Sequence, residues 1–75
     1  MCKRYRIVTG WYPSLKSAEK VFDHVRGKVN HVHIQREDKG FYTNVLEYVI
    51  DVDEAVRHRD AYIDKGVYCG IELSL

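Results

Sequence analysis

The residues of this chain suited to chemistry are few and widely spaced. His31 and His33 stand two apart, which puts both imidazoles on one face of an extended segment and supplies half of a metal site. A zinc ion needs at least three protein ligands, and neither His24, Cys2 nor any carboxylate has the spacing of a third. Solvent-facing histidines and no metal are expected. Ser14, Asp23 and His24 have the residue types of a hydrolytic triad but fall on one helical stretch without its mutual geometry. The stretch GWYPS after the first strand has no arginine to cradle a phosphate, and no CxxC is present to take a soft metal. No catalytic residue and no cofactor is expected, so the chain reads as a non-enzyme. Cys2 and Cys69 belong to the first and last strands, several residues out of step. A disulfide needs Cα atoms within about 7 Å, so both thiols are expected free, as suits a reducing compartment.

The aromatic residues carry a different kind of chemistry. Lys39 to Tyr48, KGFYTNVLEY, resembles the opening of the RNA-contacting strand of an RNA-recognition motif. That signature needs a small residue after the first aromatic and a second aromatic next, where this chain has Tyr42 and Thr43. The matching ending is also absent from YRIVTG. The stretch therefore reads as a hairpin strand with tyrosines anchored in a sheet. Arg6 and Tyr42 remain the pair that could stack a base. Trp11 and Tyr12 stand beside Pro13, where the first strand gives way to a loop. They either close one end of the core or form a binding anchor, since exposed Trp and Tyr are enriched at interface hot spots.

The elements that position these residues follow from periodicity. Tyr5 to Tyr12 is rich in strand formers; Ser14 predicts a helix cap, and Leu15, Ala18, Phe22 and Val25 recur at helical spacing. Gly27 is expected to end that helix in a left-handed conformation. Val29 to Gln35 alternates, with Val32 and Ile34 on one side and His31, His33 and Gln35 on the other. REDKG is a turn, and Phe41 to about Ile50 is the next strand. There Phe41, Val45 and Val49 share one parity, and Tyr42, Leu46, Tyr48 and Ile50 the other. Asp51 and Glu54 predict a capping box, Val52, Ala55, Val56, Tyr62 and Ile63 an apolar helix face, and Gly66 its end. VYCGIELSL alternates as a last strand. The order is β-α-β-β-α-β, an α+β ferredoxin-like split βαβ: a four-stranded antiparallel sheet with two helices on one face and the other face open.

Length and charge narrow the function. Seventy-five residues make one domain, residues 1–75, with a modest core. The formal charge of +1 argues against affinity built on many phosphates. No apolar run reaches the roughly 20 residues of a membrane span, and MCKRYRIVTG goes directly into strand-like alternation, so no signal segment is expected. A cytoplasmic location is expected, with no membrane partner.

The two halves together resemble a SPOR domain, the small bacterial module that binds septal peptidoglycan. YRIVTGWYPSLKSAEKV, through Ile7, Gly10, Tyr12, Ala18 and Glu19, is similar to that family's first strand and Ala-Glu helix start. KGFYTNV and DEAVRHRDAYIDKGVYCGI resemble its second-half strand, closing helix and final strand. The resemblance runs from about Tyr5 to Ile71 and implies a SPOR-like scaffold with glycan as ligand.

The chain is expected to be a small stand-alone binding protein, a regulator or inhibitor of the kind that phages also encode. It should dock on a protein partner through its open sheet face. Peptidoglycan and single-stranded nucleic acid are the alternative ligands, and a homodimer through the same face a further arrangement. The expected contact residues are Val8, His31, His33, Tyr42 and Tyr68, with Trp11 and Tyr12 at the rim. Interface histidines would make binding respond to pH near 6 to 7.

Overall fold

Ser14 caps the first helix as its type predicts: its Oγ accepts from the Ser17 amide at 3.2 Å and opens α1 (Leu15–Val25). In the computed structural model, which describes residues 4–74, α1 is preceded by β1 (Arg4–Val8) and followed by β2 (His33–Arg36) and β3 (Tyr42–Val49). The chain continues through α2 (Val52–Asp64) to β4 (Gly70–Ser74). Cys2 and Leu75, the second thiol and the last expected strand residue, lie outside the described residues. The strands form one antiparallel sheet in the order β2-β3-β1-β4. That order, with two helices in a βαββαβ chain, is the α+β ferredoxin-like arrangement.

The core lies between the sheet and the helices. Ile7, Leu46 and Val49 of the central strands pack with Val25 of α1 and with Ala55 and Tyr62 of α2. Val67 and Cys69, leading into β4, complete the cluster. Burying a side chain of this size contributes roughly 1.5–3 kcal/mol. Asn44 is fully buried, and its Nδ2 donates to Thr9 Oγ1 and to the Ala18 carbonyl, both at 3.2 Å. It ties β3 to the end of β1 and to α1.

Four boundaries differ from the sequence expectation. Gly27 does not take a left-handed conformation; α1 ends at Val25, and Lys28 and Val29 donate back to the Val25 carbonyl. β1 stops at Val8 because Gly10, with φ of 145°, turns the backbone out of the strand. The chain then rejoins the sheet through an isolated bridge, Tyr12 to Tyr42. β4 begins at Gly70 rather than at Val67. β2 begins at His33, four residues later than expected, and its ladder with β3 ends at the His33–Val45 pair, next to the residue that bulges against β1.

That bulge also corrects a face assignment. Ile7 pairs with Glu47 and Val8 with Val45, so Leu46 is an extra residue in β3. Tyr42 keeps the parity of Asn44, which bonds to α1, so Tyr42 lies on the helix side of the sheet. Beyond the bulge the parity is reversed and Tyr48 faces the open side, opposite Arg6. Strict alternation puts the two tyrosines together.

α2 starts and ends where expected, with one of the two bonds of the capping box formed. Asp51 Oδ2 accepts from the Glu54 amide at 3.3 Å. Gly66, with φ of 87°, closes the helix: its amide donates to the Ile63 carbonyl and the Val67 amide to the Tyr62 carbonyl.

Candidate functional site

The open face has an ionic centre. Arg6 points out of β1 onto this face and is only 7% exposed. Its Nη2 is paired with Glu37 Oε1, and its Nε donates to Glu72 Oε1 at 2.6 Å. Glu37 follows β2 and Glu72 lies in β4, so one guanidinium links the two edges of the sheet. Arg6 holds the Glu37 carboxyl below its ordinary titration range, chiefly through their hydrogen bond. Glu37 in turn raises the guanidinium's own titration, so the centre stays charged.

Side chains around the centre extend this network. Gln35 Nε2 donates to Glu37 Oε2 at 2.9 Å, and Tyr48 Oη donates to Gln35 Oε1 at 3.2 Å. The His33 ring stacks on Tyr48 with centroids 6.5 Å apart. Arg4 lies over the Tyr48 ring at 4.9 Å, and Arg6 over the Trp11 ring at 5.5 Å. The face is thus a polar and aromatic surface rather than a bare apolar one.

Beside the centre is a notch of about 290 Å³, between the end of β1 and the start of β4. Val8, Trp11, Tyr68, Gly70 and Glu72 help to line it. Trp11 is 48% exposed and Tyr68 84%.

The expected contact residues are distributed unevenly over this geometry. Val8, Trp11 and Tyr68 come together at the notch, although Val8 is itself buried. His33 lies on the open face, and His31 is exposed in the segment before β2. Tyr42, on the helix side, leaves this group. Trp11 and Tyr12 have separate roles. Tyr12 exchanges backbone bonds with Tyr42 at 2.8 and 2.9 Å and its hydroxyl lies 3.1 Å from Thr9 Oγ1, so it fastens the loop. Trp11 is left to face outward.

Sequence reasoning missed Glu37, Gln35 and the role of Arg6 as an ionic centre. Arginine in the apolar run YRIV was the available signal, because a charge inside a strand needs a partner. Among the described residues, no group of three His, Cys, Asp or Glu could hold a metal ion, and no helix is long and apolar enough to cross a membrane.

Comparison with protein-family models, with curated proteins and with solved structures finds no match. The ferredoxin-like arrangement therefore stands on the strand order and helix placement of this chain.

Proposed function

We propose that this chain is a non-catalytic docking protein, a regulator or inhibitor that binds another protein through its open sheet face. The observation that carries this reading is the pair Trp11 and Tyr68, two outward-facing aromatics on one notch beside a fixed ionic centre. Large aromatic side chains supply much contact area for little conformational entropy, and they dominate interface energetics. The Arg6–Glu37–Glu72 network supports the face before any partner arrives, which lowers the ordering cost of binding.

Two other ligands fit less well. Single-stranded nucleic acid needs cations available to phosphate, whereas Arg6 is already held by two carboxylates and Tyr42 lies across the sheet from it. The SPOR resemblance enters only as a likeness of scaffold. The peptidoglycan ligand it implies is a reading that experiment separates.

The test is comparative capture from a bacterial lysate, with the wild-type chain and a Trp11→Ala/Tyr68→Ala variant as baits. A protein enriched on the wild type and lost on a variant that melts normally is the expected result. No differential enrichment overturns the reading. Co-sedimentation of the chain with purified peptidoglycan would move the assignment to glycan.

A further inference from the structure

We infer that the notch between Trp11 and Tyr68 receives a cationic side chain, lysine or arginine, from the protein that docks on this face. The inference rests on the docking reading and adds the chemistry of the anchor.

Charge is the first argument. Of the nine residues lining the notch, Glu72 alone carries a charge at neutral pH. Cys69 is also among them, but burial pushes its thiol up to about 11, so it stays neutral. Arg6, Glu37 and Glu72 together sum to one surplus negative charge. Both Arg6 contacts fall on Glu72 Oε1, and Oε2 has no partner among the described residues. Arg4, a second arginine of β1 on this face, stands over Tyr48 at the far end of the strand. An apolar or aromatic anchor would strip water from Glu72 and return nothing, and an anion would be repelled. A cation supplies the missing charge.

Shape is the second. Trp11 already presents its ring to one guanidinium, and Tyr68 offers another ring with no partner among the described residues. Aromatic faces attract cations through their quadrupole. A volume of about 290 Å³ lies at the foot of the roughly 300–1,000 Å³ range of small-molecule pockets. It suits one long side chain better than a glycan strand or a run of stacked bases.

The experiment titrates the chain with N-acetyl-arginine amide and its neutral isostere N-acetyl-citrulline amide, followed by two-dimensional NMR. The arginine probe should shift the Trp11 indole and the Gly70 and Glu72 amides, saturating in roughly the millimolar range expected of one side chain. Citrulline should not. Tyr68→Ala, on a side chain too exposed to matter for folding, should weaken the arginine probe about two- to fivefold. Glu72→Gln should abolish binding; if that variant unfolds, Tyr68→Ala alone decides. Equal shifts from both probes, or none from either, overturn the inference. So does a stronger response of the same signals to a peptidoglycan fragment or to oligo-dT. A partner captured through Trp11 and Tyr68 without arginine binding would leave the docking reading standing and remove only the cation.

Discussion

Arg6 and Glu37, 31 residues apart in sequence, meet on the open face of the sheet although β3 separates β1 from β2, which Glu37 follows. Glu72 reaches the same guanidinium from the opposite edge. The face that a partner would touch is therefore braced by a single side chain, and its aromatic rim at Trp11 rests against that side chain. A ferredoxin-like sheet with helices on one side leaves its other surface exposed. Here that surface carries an ion-pair network that joins both of its edges.

Replacing Arg6 should be costly. Arg6→Met would leave Glu37 and Glu72 facing each other with no cation between them. Removing one partner from a buried ion pair costs on the order of 3–5 kcal/mol; with both carboxylates part-exposed, the expected loss is about 3 kcal/mol. The triple change Arg6→Met, Glu37→Gln, Glu72→Gln should recover most of it, because no unpaired charge remains. Urea unfolding of the two variants checks this; equal instability would show that the arginine acts through packing alone.

Acid should weaken the fold through Glu37. Its folded titration lies below the unfolded one, so the unfolded chain binds the proton first as pH falls. The stability it contributes is full above the ordinary carboxylate value, near 4.5, and is lost as pH drops through the lower folded value. Urea midpoints measured from neutral pH down to strong acid should decline in that window. In Glu37→Gln the decline should be shallower from a lower starting point, and an unchanged slope would assign acid sensitivity to other carboxylates.

Periodicity made the element order legible because several core positions sit where a period of two or of 3.6 places them: Ile7 on a strand, Ala18, Val25 and Ala55 on helices. Ser14 and Asp51 announced their caps by side-chain type alone. The bulge at Leu46 was not legible, since no residue type marks it, and a one-residue slip reverses every later side chain. Strict alternation therefore puts Tyr42 on the wrong face. Arg6, Glu37 and Glu72 are distant in sequence, and only the strand order brings them together. Trp11 and Tyr68 could be singled out by type, but their shared notch depends on the β1–β4 pairing.

Cys69 should be inert while the protein is folded. The residue is buried, its Sγ lies 3.7 Å from the Arg59 carbonyl, and burial raises the thiol to about 11. Thiolate is the reactive form, so little is available near pH 8. Iodoacetamide labelling read by peptide mass spectrometry should therefore modify Cys69 only as fast as the chain opens, accelerating with urea. Prompt labelling of Cys69 in buffer would show that the β4 end of the core is open in solution.

Two glycines test how local backbone conformation supports the fold. Gly66 ends α2 at φ of 87° and directs Val67 back against Tyr62; Gly40 turns the β2–β3 hairpin at φ of 81°. Alanine at either must enter the left-handed region, at a cost of roughly 1–2 kcal/mol. The surroundings differ. A Cβ at Gly66 would lie 2.9 Å from Lys28 Nζ, a flexible tip that can move but now bonds the Lys65 carbonyl, whereas a Cβ at Gly40 meets nothing within 4 Å. Gly70 has neither positive φ nor a close neighbour, so Gly70→Ala is the control. Melting temperatures should fall by on the order of 5–10 °C for Gly66→Ala and by the same or less for Gly40→Ala, with no fall for Gly70→Ala. A fall for Gly70→Ala matching that of Gly66→Ala would mean that added bulk, not the left-handed conformation, sets the cost.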